Sequence, residues 1–229
     1  MKRIGLLGGM SWESSVLYEE LINTEVRERR GGTNSADLVV RSYNFAEIEA
    51  LQSAGDWEAA GELLSEGAKV LESAGAEVIA MCTNTMHRVA DAVESEIDAE
   101  FIHICDAIAG EVKGESLAAV GLIGTRFTMQ EPFYRERLES DGLKVLVPPE
   151  DEQELIHKAI YDELVQGTLS RATQEDFLDV IDRLGVSGAQ GVIAGCTEIE
   201  LLVSRDDVFV PYFPSTEIHA RAIVEVALG

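Results

Sequence analysis

Lysine, cysteine and long apolar runs are all scarce in this 229-residue chain. Only five of its 18 basic residues are lysines, and they face 42 acids, for a net charge of −24. A surface so poor in cations has no basic patch with which to release phosphate counterions. Nucleic acid and anionic membrane surfaces are therefore excluded as partners. The same balance is expected of a protein from a salt-rich cytoplasm, where screening removes the self-repulsion. Three cysteines, Cys82, Cys105 and Cys196, are too few and too irregularly spaced for a disulfide framework, which points to a reducing compartment. Cys82 with His87, and His103 with Cys105, do not match a usual zinc spacing, so no metal is expected. No apolar run reaches the roughly 18–20 residues of a membrane span. The opening Met1-Lys2-Arg3 leads straight into a strand-like segment rather than a signal peptide, and a cytoplasmic location is expected.

What the chain does have is alternation. Ile4 to Leu7, Asp37 to Ser42 and Glu77 to Met81 read as short buried strands. Ser14 to Arg30, Trp57 to Ser73 and Asn84 to about Ser95 read as helices between and after them. Strands separated by helices of that length predict an α/β fold with parallel sheets. The second half then restates the first. Ile4-Gly5-Leu6-Leu7-Gly8-Gly9 returns as Val120-Gly121-Leu122-Ile123-Gly124-Thr125, and the segment from Gly75 to Thr83 returns as Gly188 to Thr197. Two matches in the same order predict two pseudo-symmetric lobes, each a parallel sheet flanked by helices, with the active site in the cleft between them. The first lobe is expected to cover residues 1–105 and to be joined by a C-terminal helix within 213–229; the second covers 106–212. Pro211 and Pro214 interrupt the chain, and Ser215-Thr216-Glu217 opens that last helix.

Cys82 and Cys196 fall at equivalent places in the repeat, where a buried strand ends and a helix is expected to begin. In an α/β sheet that carboxyl edge is where ligands bind. A helix N-terminus there would lower a thiol pKa towards neutrality and welcome a carboxylate. Two such thiols facing each other across a cleft suit inversion at a carbon. One removes the weakly acidic α-proton while the other supplies a proton from the opposite face. Cys105 reads as a small core residue. Gly8-Gly9-Met10-Ser11-Trp12-Glu13 sits at the first strand-to-helix turn, where backbone N–H groups could hold a carboxylate. It lacks both the G-x-G-x-x-G spacing and the Walker lysine of nucleotide sites.

These segments resemble the aspartate/glutamate racemase family, and its acidic-amino-acid branch in particular. The motifs that carry the resemblance are GGMSWES at Gly8 to Ser14, CTNTMH at Cys82 to His87 and GCTEIELL at Gly195 to Leu202. Gly121 to Met129 is similar to the family's middle motif, and the likeness runs through essentially the whole chain. It implies a cofactor-independent enzyme without pyridoxal phosphate or metal, a small-molecule amino-acid substrate, and often a homodimer. It further implies that Cys82 and Cys196 are the acid/base thiols. Met10, Ser11, Gln52, Thr83, Asn84, Thr85, Thr125 and Thr197 would bind substrate, and Glu198 would orient or accept the amino group. Where the family often has Thr after the first motif, this chain has Ser15. Aspartate is the first expected substrate and glutamate the second, with Arg41, Arg126 and Lys158 as cations for the side-chain carboxylate. The alternatives are a hydantoin racemase, a malonate-type decarboxylase or isomerase, a non-catalytic amino-acid-binding protein, or a thiol redox protein.

Overall fold

A computed structural model describes residues 1–229. The chain divides into two compact units, residues 1–103 with 219–229, and residues 104–218. In the first unit the elements run β1 (Ile4–Gly8), α1 (Trp12–Arg30), β2 (Leu38–Ser42), α2 (Phe45–Ala54), α3 (Trp57–Ser73), β3 (Val78–Met81), α4 (Ala90–Glu94) and β4 (Glu100–Phe101). The second contains α5 (Ile104–Gly114), β5 (Ala119–Gly124), α6 (Arg126–Gln130), α7 (Pro132–Ser140), β6 (Lys144–Leu146), α8 (Glu150–Asp162), α9 (Arg171–Val186), β7 (Val192–Gly195), α10 (Thr197–Leu202) and β8 (Tyr212–Pro214). Helix α11 (Ser215–Leu228) starts in the second unit, and its residues from His219 onward count with the first.

Each unit has one four-stranded sheet, all parallel, in the orders β2-β1-β3-β4 and β6-β5-β7-β8. The orders are the same once the second set is renumbered, so the repeat in the sequence is a repeat of topology. Central strands β1, β3 and β7 are buried along their whole length. That burial explains their continuous apolar composition, because helices cover both faces of a parallel sheet. On one face of the first sheet, α1 contributes Tyr18, Ile22 and Val26, a stripe at helical spacing. Ala220, Ile223, Val224 and Ala227 of α11 join the same cluster. On the other face, α3 supplies Ala60, Leu64, Ala68 and Leu71.

The units divide slightly away from the expected boundaries, for reasons of packing. Ile104 and Cys105 are buried among Ile108, Val120, Tyr134 and Phe213, all of the second unit. Tyr212 to Pro214 form a strand paired with β7, which holds that segment in the second sheet. Two helical expectations also change. Phe45–Ala54 forms a helix capped by Asn44, with a left-handed Gly55 at its end, and the sequence reading had no element there. The expected helix from Asn84 to Ser95 is instead a 3-10 turn over Thr85–Val89 followed by the single short turn of α4. No helix is long and apolar enough to cross a membrane.

Candidate active site

The carboxyl edge of each sheet is built the same way. After β1 the chain turns through Gly9, whose φ is +81° and whose absent Cβ would lie 2.2 Å from the Tyr43 carbonyl oxygen. Only glycine fits that conformation and that approach. Ser11 then caps α1, accepting the Ser14 N–H at 3.3 Å. After β5, Thr125 caps α6 by accepting the Thr128 N–H at 3.3 Å. Both caps are buried, as is Met10 beside them in the first unit.

Ser15 has a role that its position in the motif did not suggest. Its hydroxyl accepts the Gly9 N–H at 2.7 Å and donates to the Ser11 carbonyl at 3.1 Å, so it clamps the loop from inside. Of the backbone N–H groups from Gly8 to Glu13, that of Gly9 is thereby taken by Ser15.

The second strand-end in each unit carries a cysteine. Cys82 follows β3, and its N–H donates to the Leu7 carbonyl of β1 at 2.9 Å. Thr83, Asn84 and Thr85 come next and are all buried. His87 Nδ1 lies 2.8 Å from the Thr83 carbonyl oxygen and donates to it, which ties the turn back onto itself. Met86 accepts a contact at 3.0 Å from Gln52 Nε2, which reaches in from α2. The Gln52 Oε1 atom is buried without a hydrogen-bond partner. In the first unit the turn after Cys82 thus assembles with Gln52, while Ser11 and Met10 line the neighbouring strand-end.

Cys196 follows β7 and is the N-cap residue of α10. Its thiol donates to Glu198 Oε2 at 2.9 Å. Thr197 and Glu198 are buried beside it. Thr125 stands at the end of the adjacent strand, since Gly124 of β5 pairs with Gly195 of β7. The structure therefore puts Glu198 on the thiol itself, a partnership that the sequence reading, which gave Glu198 the substrate's amino group, had not drawn.

The expected lowering of the thiol pKa values is not what this environment produces. Burial pushes the Cys82 thiol far up. Cys196 is also raised, first by burial and then by the Glu198 carboxylate, against the opposing pull of the Glu198 and Ile199 backbone N–H groups. Helix ends lower a thiol pKa when the thiolate keeps some solvation or a cation. Here the turn after Cys82 is a short 3-10 segment, α10 has six residues, and burial is the largest influence on both sulfurs. Both cysteines rest as thiols. Cys105 is buried in α5 and likewise raised by burial.

The three cations expected to meet a substrate side chain have the following partners. Arg41, at the exposed end of β2, donates to the Ser42 carbonyl and lies 4.4 Å over the Tyr43 ring. Arg126 and Lys158 both approach Glu154 in the second unit, at 3.9 Å and 3.3 Å.

A fold with two matching sheets and a cysteine at the same strand-end in each defines a class, and comparison with known proteins identifies it. Residues 7–223 match the family model described as Asp/Glu/Hydantoin racemase. The chain belongs to that family, and it is an amino-acid racemase. A candidate Asp/Glu racemase from Yersinia pestis is 46% identical, superposes with a TM-score of 0.94, and each chain covers 100% of the other. An aspartate racemase homologue from Pyrococcus horikoshii is 37% identical, with a TM-score of 0.87 and the same full coverage. A broad-specificity amino-acid racemase of Bacillus subtilis is 22% identical over 99% of this chain and 98% of its own length.

Proposed function

We propose that this enzyme inverts the α-carbon of a small acidic amino acid, aspartate ahead of glutamate, with Cys82 and Cys196 as its two proton-transfer groups and without a cofactor. The observation that carries this reading is the equivalence of the two thiols. Each follows the same strand of one topology used twice, β3 in one unit and β7 in the other. A reaction that must remove a proton from one face of a carbon and return one to the other needs two such groups. The aspartate racemase homologue among the similar structures supports the choice of substrate class.

One thiol loses its proton and, as thiolate, takes the α-proton; the carbanionic centre then receives a proton from the opposite thiol. Reversal exchanges the two roles. For Cys196 the local acceptor is Glu198, already 2.9 Å from its sulfur. For Cys82 the thiol proton passes to solvent water as substrate binds, and the positive charge of the substrate ammonium group favours the thiolate left behind. The buried Gln52 Oε1 atom is an acceptor in want of a donor, and an ammonium N–H would satisfy it. Ser11, Thr83, Asn84, Thr85, Thr125 and Thr197 provide polar groups around these centres.

The test is α-proton exchange in heavy water under reductant, with L- and D-aspartate and glutamate, followed together with optical rotation. Exchange with loss of rotation is expected for aspartate. Cys82→Ser and Cys196→Ser should each lower racemisation by about 10²-fold or more, the scale of a lost acid/base group. Full racemisation by either single variant would rule out the two-thiol scheme. A folded wild-type protein that exchanges none of the four would move the substrate elsewhere in the family.

A further inference from the structure

A cluster of charged side chains stands beside the candidate site, at the carboxyl edge of the second sheet. Thr125 ends β5 next to Cys196, and Arg126 is the first residue of α6. Helix α8 brings Glu154, His157 and Lys158 to this point, at positions i, i+3 and i+4, which share one helix face. The Arg126 N–H donates to His157 Nδ1 at 3.3 Å. Burial and the Arg126 charge lower the pKa of that imidazole, so it adds no positive charge here. A cavity of about 840 Å³ opens against this edge, lined by Arg126, Gln130, Glu150, Asp151 and Glu154.

The single carboxylate of Glu154 is divided between two cations. Its Oε2 lies 3.9 Å from Arg126 Nη1 and its Oε1 3.3 Å from Lys158 Nζ. Neither distance reaches the roughly 2.7–2.9 Å of a tight charge-assisted hydrogen bond. All three side chains keep more than 40% of their surface exposed, so the pairs are weak and readily exchanged. A carboxylate that arrives on Arg126 and Lys158 competes with Glu154 for the same two charges, and it does so against the added negative charge of Glu150 and Asp151. An uncharged side chain meets no such competition.

We propose that Glu154 is a resident competitor for the substrate's side-chain carboxylate, held on the same two cations, and that it sets the enzyme's selectivity between acidic and uncharged amino acids. This rests on the reading that the substrate is an amino acid bound at the edge that carries Cys196. Glu154 touches the cations rather than the reacting atoms, so its effect falls on binding and leaves the chemical step alone.

The experiment compares wild type with Glu154→Gln at modest ionic strength, using succinate and propionate as unreactive probes in titration calorimetry and aspartate and alanine as substrates. Glu154→Gln should bind succinate about fivefold more tightly and lower the aspartate KM by a similar factor, the scale of two exposed ion pairs. Its kcat for aspartate, its propionate affinity and its alanine KM should not move. Glu150→Gln removes the same charge from the same cavity without touching the cation pair, so it should give a clearly smaller gain. Adding Arg126→Ala to Glu154→Gln should erase the gain. Succinate affinity that is unchanged or weaker in Glu154→Gln, or an equal gain from Glu150→Gln, overturns the proposal. The two readings fail separately. A wild type that exchanges no aspartate α-proton removes the acidic-substrate reading, while the succinate comparison still decides the role of Glu154.

Discussion

At the scale of the residue, the cysteines act within a setting made by groups far from them in sequence. Cys82 lies in the buried cluster that also holds Tyr18 and Ala220, and Tyr18 is hydrogen-bonded to His219 of α11. His219 is fully buried; its Nδ1 accepts from the Tyr18 hydroxyl at 2.8 Å and its Nε2–H donates to the Ile102 carbonyl at 2.8 Å. Both ring nitrogens are thereby assigned to a neutral imidazole, because a charged ring would have nothing to accept the Tyr18 proton. Its pKa falls from 6.5 to about 4, chiefly through burial. His87 stacks edge-on 5.6 Å away, with His103 behind it, so a proton added here meets further imidazoles rather than a carboxylate. Between pH 6.5 and 4 the unfolded chain binds a proton at this histidine that the folded chain refuses. Its contribution to stability is therefore complete above pH 6.5 and is lost as pH falls towards 4. Between pH 7 and 5 that loss amounts to about 2 kcal/mol. The check is urea unfolding of wild type and His219→Gln at both pH values. The variant should be less stable at pH 7 and should lose about 2 kcal/mol less than wild type on acidification. An identical acid loss in both proteins would assign the sensitivity to other groups.

At the scale of the element, the strand-to-helix turns are where the fold becomes a site. Ser11 and Thr125 end equivalent strands and cap equivalent helices, each taking the N–H of the residue three positions on. Removing a side-chain cap costs about 1 kcal/mol. Ser11→Ala and Thr125→Ala should each lower the unfolding free energy by about that much in a urea titration. Activity should fall more than stability does, since both caps fix a loop of the candidate site. Equal activity in either variant would make that cap purely structural. The same turns show what could be read beforehand. Trp57–Ser73 was legible to the residue because Asp56 caps it and its apolar positions repeat at helical spacing. The two lobes were legible because sequence and topology repeat together. Phe45–Ala54 was not, although Asn44 and Gly55 bracket it. Ten residues squeezed between a strand and a longer helix leave little periodicity to see, and Gln52 was placed without its element. Residues Thr85–Val89 were misread because Asn and Thr favour local turns that compete with an α-helix. Strands of two or three residues such as β4, β6 and β8 carry no period at all. The Cys196–Glu198 contact lay within one motif, yet its meaning depended on burial, which spacing does not report.

At the scale of the whole molecule, the surplus of acid is the dominant fact. With 42 acids against 18 bases, the positive charges are largely spent in pairs, such as Arg3 with Asp37, Arg137 with Asp106 and Arg205 with Glu217. Carboxylates still outnumber the cations, for a net charge of −24, and some are crowded. Glu150, Asp151 and Glu152 follow one another in the first turn of α8. That location is favourable at a helix N-terminus but repulsive among the three. Self-repulsion of this kind weakens as the screening length contracts from about 10 Å at 0.1 M salt to about 3 Å at 1 M. It opposes the compact state more than the expanded one, because folding brings the charges closer together. The melting temperature should therefore climb between dilute buffer and molar KCl. Matched sucrose solutions provide the control, because sucrose stabilises by exclusion from the surface and leaves charge unscreened. A rise in KCl that exceeds the rise in sucrose would assign the effect to screening. Equal rises would assign it to solvent exclusion, and a melting temperature unmoved by KCl would mean that the surplus acids stand too far apart, or too well hydrated, to oppose folding.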